Sequence, residues 1–258
     1  MNSSVLYITI PSYNEAPTVG VLLWNIRKVF QEYSREYEVL VFDDASSDGT
    51  RDALEPYAKV MPLTVLGDGK RIGYARAVDA LLRAASERTR YPRRDAAVLM
   101  QADFTDQPEH LPELVKRFEG GADVVAAERT LGPLAPDSVR KFAQLTRWLP
   151  ALWPIRSFVT VPGVKDPFAG LRLMRITVVR DLLQERGDRE IADAPVCAVN
   201  VELTRAAVRL ARRVETVPLE PRWDLRPRES RVRPWPDAID LVKRGWAARS
   251  RRATTVAA

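Results

Sequence analysis

The sequence contains one cysteine and one histidine among its 258 residues. A single cysteine, Cys197, excludes an intrachain disulfide and is consistent with a reducing cytoplasm. We interpret it as a small buried residue, not as a nucleophile. The single histidine, His110, falls in a predicted helix, and we interpret it as a surface residue, not as a base.

Long apolar runs are also missing. A stretch such as "WLPALWPI" (148–155) is far shorter than the roughly 18–20 residues that span a bilayer. The N-terminus enters a strand-like run without a basic region followed by an apolar one, so we expect no signal peptide and no transmembrane helix. With 46% apolar and 29% charged residues, the composition is that of a soluble globular protein with a substantial core.

The charge is unevenly distributed. Net charge is +6, and residues from 201 onward contribute +7, whereas the first 200 residues contribute −1. A basic C-terminal part is compatible with nucleic acid, an anionic membrane surface or phosphorylated substrates as partners. A solvated basic tail is the alternative. Nucleic acid is the weakest of these interpretations and we expect none, because the basic residues lie in a proline-broken loop without a known recognition module.

The first half alternates short apolar runs with amphipathic helical patterns. The runs that predict strands are 5–11, 37–42, 63–66, 96–100 and 123–127. This alternation predicts an α/β fold with right-handed crossovers and a mainly parallel sheet. Ligands of such sheets bind beyond the carboxyl ends of the strands. We therefore expect the Asp43/Asp44 pair and the segment 101–106 to face one crevice.

The second half is less regular. Residues 137–159 have helical character, interrupted by Pro150 and Pro154. Further segments predict two helices, a strand and a last helix, near 176–185, 199–212, 214–219 and 237–246. We divide the chain into a catalytic domain over 1–235 and a basic C-terminal helix or tail over 236–258.

Two carboxylates follow the apolar run in "VLMQADFTDQP" (98–108). Acids after a strand often cap the next helix. Alternatively, they supply oxygen ligands to a hard divalent cation, which in turn binds phosphates. The segment alone does not separate these two interpretations.

Four motifs taken together point to a family. They are "IPSYNE" (10–15), "DDASSDGT" (43–50), "ADFTDQPEHLP" (102–112) and "DPFAGLRLMR" (166–175). In this order and spacing they resemble family 2 glycosyltransferases with a GT-A fold, and most of all the polyprenyl-phosphate (dolichyl-phosphate) mannose synthases. The resemblance covers about residues 5–235, so the expected fold is a GT-A, Rossmann-like sheet with acceptor-side helices after it.

The resemblance implies a donor side and a metal. A nucleoside-diphosphate sugar would bind at Pro11, Tyr13, Glu15, Asp44, Arg71, Gly73, Gln101, Ala102 and Asp103. Mg²⁺ or Mn²⁺ would be held by Asp103, with Thr105 beside it. Gln101 departs from the family, which usually has Asp at this position. An amide still forms hydrogen bonds but brings no charge, so metal affinity should be weaker.

The resemblance also implies an acceptor side. Residues matched to acceptor binding are Arg129, Arg140, Arg172, Arg228, Ser230 and Arg231, and those matched to catalysis are Asp103, Asp166, Arg129 and Glu202. The implied reaction is metal-dependent, inverting transfer of a hexosyl group to a polyprenyl phosphate. A soluble transferase for a small-molecule acceptor is the alternative, and a non-catalytic nucleotide-sugar-binding relative is a third. The expected location is cytoplasmic, with peripheral contact at the inner face of a membrane.

Overall fold

A computed structural model describes residues 4–151, 156–187, 194–225 and 229–256. The strands are β1 (Leu6–Ser12), β2 (Tyr37–Asp43), β3 (Leu63–Leu66), β4 (Ala96–Leu99), β5 (Val124–Arg129), β6 (Arg172–Arg175) and β7 (Val214–Leu219). The α-helices are α1 (Ala16–Glu32), α2 (Thr50–Ala58), α3 (Tyr74–Arg88), α4 (Leu111–Glu119), α5 (Asp137–Trp148), α6 (Arg156–Val159), α7 (Ile176–Arg186), α8 (Val196–Leu210) and α9 (Pro234–Val256).

The strands form a seven-stranded sheet in the order β3-β2-β1-β4-β6-β5-β7. β6 is antiparallel to both of its neighbours, and the other described pairs are parallel. The sheet is therefore mainly parallel, as the alternation predicts. Because β1, β2 and β4 run side by side in the same direction, their carboxyl ends meet at one edge.

The sequence analysis missed β6. Its segment "RLMR" lies inside a motif and has an arginine at each end, which is atypical of a central strand. The interrupted helical segment at 137–159 becomes α5, a 3₁₀ turn at Leu149–Ala151 and α6. Residues 152–155, including Pro154, lie outside the described part of the chain.

Successive side chains of the inner strands point to opposite faces of the sheet, and a hydrophobic core lies on each face. In β1, Leu6, Ile8 and Ile10 pack into the cluster that contains side chains of α1 and α4. Tyr7 points to the other face and joins a cluster with side chains of α3, α7 and α8. The central strands are covered on both sides, which explains why they read as continuous apolar runs. This double cover fixes the strand ends that carry the polar residues described below.

A third cluster lies apart from the sheet. It joins Phe142 of α5, Phe158 of α6, Val201 of α8 and Leu241 of α9. α9 begins with Pro234, a residue suited to a first helical turn, and buries Ala238 and Leu241. The first turns of α9 therefore pack on the helices that precede it.

Candidate active site

A cleft of about 1150 Å³ opens at the carboxyl ends of the parallel strands. Its lining includes one side chain from the end of each of four strands: Ser12 (β1), Asp44 (β2), Gln101 (β4) and Arg129 (β5). Asp103 also lines the cleft. Asp44 and part of the segment after β4 thus face one crevice, as the strand-end argument predicts, whereas Asp43 and Asp106 do not line it.

Asp44 holds the loop that precedes α3. Its carboxylate accepts hydrogen bonds from the backbone N–H groups of Ile72 (2.6 Å) and Gly73 (3.1 Å). Gly73 has φ 85° and ψ 160°, a conformation that is available almost only to glycine. The glycine therefore lets the loop turn toward the carboxylate, and Arg71 and Gly73 both reach the cleft.

The ring of Tyr13 and three charged side chains lie together on the lining of the cleft, close to Asp44. The guanidinium of Arg71 lies 4.0 Å from the ring centroid of Tyr13, and that of Arg231 lies 5.5 Å from it. Arg231 also donates to the carbonyl of Tyr13 at 2.6 Å and lies 3.5 Å from the buried carboxylate of Glu15. The loop before α9 is thereby tied to the loop after β1.

The turn after β4 carries two buried carboxylates. Asp103 accepts from the N–H of Thr105 (3.1 Å), and Phe104 between them has φ 61°, the left-handed region that non-glycine residues rarely adopt. Asp106 accepts from the N–H of Gln101 at 2.8 Å. Burial raises the pKa of Asp106 to about 7, aided by the charge of Asp103 and opposed by the hydrogen bond from Gln101. The turn presents Asp103 and Thr105 to the cleft and keeps Asp106 beneath it.

Arg129 and Asp166 form a half-buried ion pair that is joined by two hydrogen bonds. Nε and Nη2 of Arg129 donate to the two carboxylate oxygens of Asp166, at 2.7 and 3.1 Å. Burial disfavours the charge of Arg129, but the carboxylate of Asp166 outweighs this and raises the pKa of the guanidinium. Since both oxygens of Asp166 accept from Arg129, this carboxylate is poorly suited to take a proton from an acceptor.

The far end of the cleft is largely apolar. It is lined by side chains of α5, α6, α8 and the loops before α5 and β6, among them Leu131, Val139, Phe142, Val159, Phe168, Val196 and Cys197. Burial raises the pKa of Cys197 to about 12, so its thiol stays protonated at neutral pH and is not an activated nucleophile. The cleft therefore joins a charged end to a hydrophobic one.

Most of the predicted site residues lie on the cleft. These are Pro11, Tyr13, Glu15, Asp44, Arg71, Gly73, Gln101, Ala102, Asp103, Thr105, Arg129, Asp166, Ser230 and Arg231. The geometry brings them together, while their individual roles stay predictions. Arg228 lies outside the described residues.

Three predicted residues do not line the cleft, contrary to expectation, and their roles stay predictions. Arg172 is 1% exposed and its guanidinium donates to Asn200 O (2.8 Å) and Thr204 Oγ1 (2.6 Å), so it is held within the protein. Arg140 is exposed and donates instead to the carbonyl of Pro133. Glu202 lies on the solvent side of α8, with Arg244 at 3.9 Å.

The structure adds residues that sequence reasoning missed. Tyr74 and Asn200 line the cleft and are hydrogen-bonded to each other. Further cations on the lining are Arg76, Arg147, Lys165 and Arg233. Tyr74 follows the predicted Gly73 directly, which was a usable signal. Asn200 lies in a helix with no motif around it, and nothing in the sequence marks it.

The oxygen atoms available as metal ligands on the cleft suit a cation that is shared with a substrate. Among the described residues no group of three or more His, Cys, Asp or Glu side chains could enclose a cation. A hard cation such as Mg²⁺ is commonly held by one or two carboxylates together with substrate phosphates and water. Asp103 offers such a carboxylate, with Thr105 beside it on the cleft.

Comparison with known sequences gives the following matches. The profile of the family described as Glycosyl transferase family 2 matches residues 7–183. The chain is 27% identical over 182 residues to a bactoprenol glucosyl transferase of Shigella phage SfV, covering 69% of this chain and 55% of that protein. It is 29% identical over 213 residues to an undecaprenyl-phosphate mannosyltransferase of Micrococcus luteus, covering 81% and 80%. The chain thus spans about half of the phage relative.

Solved structures share the architecture. Mannosyl-3-phosphoglycerate synthase of Rubrobacter xylanophilus superimposes with a TM-score of 0.61 at 18% identity, covering 98% of this chain and 75% of that one. Glucosyl-3-phosphoglycerate synthase of Mycobacterium tuberculosis, solved with Mn²⁺, UDP-glucose and phosphoglyceric acid, gives 0.57 at 18% identity, covering 93% and 78%. At this identity the likeness establishes the fold alone.

Proposed function

The chain belongs to glycosyltransferase family 2 and has a GT-A fold, and on that premise we propose that it transfers a hexosyl group from a nucleoside-diphosphate sugar to a polyprenyl phosphate. The two relatives whose names mention bactoprenol and undecaprenyl phosphate support this acceptor class. The proposal concerns the sugar, the acceptor and the cation, which the family alone does not determine.

The observation that carries the proposal is the continuity of the cleft from a charged end to an apolar end. Asp44, Gln101 and Asp103 line the charged end, and Phe142 and Val196 line the other. A polyprenyl phosphate has the same arrangement, with an anionic head on a long apolar chain. Burying isoprenoid carbons against the apolar end would contribute about 25 cal/mol for each Å² removed from water.

The acceptor in this proposal requires positioning more than deprotonation. A phosphate oxygen is already anionic at neutral pH, so it can attack the anomeric carbon while the bond to the nucleoside diphosphate breaks, with inversion at that carbon. No proton has to be removed from the acceptor. This agrees with a cleft in which Asp166 is engaged by Arg129 and Glu202 lies outside.

Cations on the lining would compensate the charges of both substrates. Arg71 and Arg231 lie beside Tyr13 at the charged end, and Arg129 and Lys165 lie toward the apolar end. A divalent cation, when bound at Asp103, would supply positive charge beside the departing diphosphate. Arginine suits the remaining contacts because its planar guanidinium binds phosphate oxygens in pairs.

One face of α9 fits a membrane surface. Trp235, Ile239 and Trp246 are 66%, 50% and 54% exposed and recur at a spacing that places them along one side of the helix, with Lys243 between them. The described helices include none long and apolar enough to cross a bilayer. We infer that this face lies against an anionic membrane in which the polyprenyl phosphate is dissolved.

Transfer of a radiolabelled sugar tests the proposal. The chain is mixed with polyprenyl phosphate, Mg²⁺ or Mn²⁺, and GDP-mannose, UDP-glucose or UDP-N-acetylglucosamine in turn. Label that moves into the organic phase with one of these donors, and only with cation present, is the expected result. GDP-mannose is the first candidate because of the resemblance to mannose synthases.

Two other results would replace the proposal. Label that stays in a water-soluble product formed from a neutral alcohol would indicate a small-molecule acceptor. Binding of a donor in calorimetry without turnover on any acceptor would indicate a nucleotide-sugar-binding protein that has lost catalysis.

A further inference from the structure

Gln101 begins a directional series of hydrogen bonds across the cleft. Its side-chain Nε2 donates to the hydroxyl of Tyr74 at 2.7 Å. That hydroxyl donates to Oδ1 of Asn200 at 3.1 Å, and Nδ2 of Asn200 donates to the carbonyl of Phe168 at 3.2 Å. This series, called here the Gln101 chain, connects the end of β4 with the segment 166–170 through α3 and α8.

We propose that Gln101 is a positioning residue for the acceptor: through the Gln101 chain it fixes the segment 166–170 relative to the strand end that carries Asp103. The segment contains Asp166, which pairs with Arg129 on its other side. The inference rests on the proposed function only for the identity of the acceptor.

The direction of the hydrogen bonds explains why an amide stands at position 101. Tyr74 has one hydroxyl proton, and Asn200 receives it. The phenol oxygen must therefore accept from position 101, which an amide nitrogen can satisfy and an ionised carboxylate cannot. Burial raises the pKa of Tyr74 to about 12, so the phenol keeps its proton at neutral pH.

A carboxylate at position 101 would break the Gln101 chain. Tyr74 would turn its proton toward the carboxylate, and Oδ1 of Asn200 would lose its donor. Turning the Asn200 amide over would then place its oxygen against the carbonyl of Phe168, so two acceptors would face each other. No rearrangement within the Gln101 chain gives each of its polar groups a hydrogen-bond partner.

Close packing reinforces the hydrogen bonds. A Cβ atom on Gly170 would lie 2.8 Å from Cγ of Gln101, so the backbone of the segment 166–170 rests directly on this side chain. At the other end, the backbone carbonyl of Asn200 accepts from Arg172 (2.8 Å) and Thr204 (2.7 Å). The buried Arg172 thus anchors the helix that carries Asn200.

The test compares Gln101→Glu with the exposed control Gln184→Glu on α7, which makes the same chemical change away from the cleft. We expect Gln101→Glu to lower the acceptor kcat/KM by about tenfold, the effect of one or two lost hydrogen bonds. Calorimetric donor affinity should stay within about twofold in Gln101→Met, which removes the hydrogen-bond donor without adding charge near Asp103. Gln184→Glu should change neither quantity.

A double-mutant cycle identifies the partner. Tyr74→Phe should lower the acceptor kcat/KM to a similar extent, and Gln101→Glu should add little in that background. If Tyr74→Phe does not fold, Gln101→Met is measured by itself: methionine keeps the length of the side chain without the hydrogen-bond donor, so it should also lower the acceptor kcat/KM. Strictly additive losses in the cycle, or an equal loss of donor affinity in Gln101→Met, would overturn the proposal and make Gln101 a nucleotide contact.

The same pair also provides a measurement that needs no acceptor. Coupling between Gln101→Glu and Tyr74→Phe in urea unfolding should change the unfolding equilibrium constant by about fivefold. If this coupling is present but no polyprenyl phosphate is glycosylated, the proposed acceptor is wrong and the Gln101 chain stands. If transfer occurs without coupling, the Gln101 chain is wrong and the proposed acceptor stands.

Discussion

The two ends of the cleft hold their charged groups in different ways. At the donor end, carboxylates accept from nearby backbone N–H groups: Asp44 from Ile72 and Gly73, and Asp103 from Thr105. At the proposed acceptor end, Asp166 also accepts from the backbone N–H groups of Arg129 and Phe168, but both of its oxygens pair in addition with the guanidinium of Arg129. A backbone donor cannot be removed by mutation, whereas a side-chain partner can, so the two ends should respond differently to substitution.

Carboxylates and cations occur at both ends of the cleft. The donor end presents Asp103 and the buried Glu15 to a ligand that would arrive with a cation. Arg147 and Lys165 also line the cleft, and both are exposed to solvent. We therefore expect substitutions at the donor end to act through the metal and the diphosphate, and those at the acceptor end to act through acceptor binding.

The largest effect is expected at Asp103. Asp103→Asn keeps an oxygen that can accept from Thr105, so the fold should persist, but it removes the carboxylate that would hold the cation in the proposed function. We expect kcat to fall by roughly two to three orders of magnitude, the range for loss of one electrostatic contact to a leaving group. A cation titration of activity measures this, with the exposed Asp181→Asn on α7 as the matched control.

Near-normal, cation-dependent turnover in Asp103→Asn would show that a residue other than Asp103 holds the metal. An unchanged melting temperature in both variants is needed for the comparison to report on chemistry.

Arg129 should give the next largest effect, on the acceptor end. Arg129→Ala leaves the half-buried carboxylate of Asp166 without its ion-pair partner. We expect a loss of about 2 kcal/mol in unfolding free energy and an acceptor kcat/KM lower by roughly one to two orders of magnitude. Donor affinity by calorimetry should change little.

The double variant Arg129→Ala/Asp166→Ala separates folding from function. It should regain part of the lost unfolding free energy, because no unpaired charge remains although the N–H groups of Arg129 and Phe168 lose an acceptor, and it should not regain the lost acceptor turnover. A matching loss of donor affinity in Arg129→Ala would instead place Arg129 on the donor diphosphate.

The contrast between the ends also explains what the sequence could and could not predict. Donor-end residues sit in short motifs at strand ends, where local turns decide their position, and Asp44 and Asp103 lie on the cleft as predicted. Arg172, predicted on the acceptor side, does not line the cleft, because its guanidinium is buried against the carbonyls of Ala169 and Gly170 and against Asn200 and Thr204 of α8. An arginine in a motif predicts a phosphate contact, and burial of that arginine has no local signal.

The prediction of secondary structure also differs between the first half of the chain and the rest. Strands of the donor half were predicted within one or two residues of their observed ends, since double-sided burial leaves a clear apolar run. β6 was missed because its four residues are half arginine, and α9 extends beyond its predicted end at 246 to Val256. The Gln101 chain could not be predicted, because its members are brought together only by the fold.

The apolar end offers a sharper probe of acceptor length. Leu131 and Val196 line the cleft and are 44% and 40% exposed, so polar substitutions there should leave the core intact. We expect Leu131→Gln/Val196→Gln to lower kcat/KM for a long polyprenyl phosphate by about tenfold, through loss of roughly 0.7 kcal/mol of apolar contact at each site. A two-isoprene phosphate should be affected much less.

The control for this pair is Val60→Gln, an equally exposed valine between α2 and β3. It should leave both acceptors unaffected. Equal losses for long and short acceptors in the Leu131→Gln/Val196→Gln variant would show that the apolar end does not bind the chain.

The smallest effect is expected on the exposed face of α9. Deleting residues 237–258 would remove Leu241 from the third cluster, so point variants are the cleaner test of membrane contact. Lys243→Gln should weaken binding to anionic vesicles by about fivefold, because a basic residue near such a surface contributes about 1 kcal/mol, and the difference should shrink at high salt. Ile239→Gln should weaken the same binding with less salt dependence, since its contribution is apolar.

Lys59→Gln, an exposed lysine after α2, is the matched control and should bind as the unmodified chain does. Donor affinity should stay constant throughout. Equal losses in Lys59→Gln and Lys243→Gln would indicate attraction by net charge, and the face of α9 would then have no orienting role.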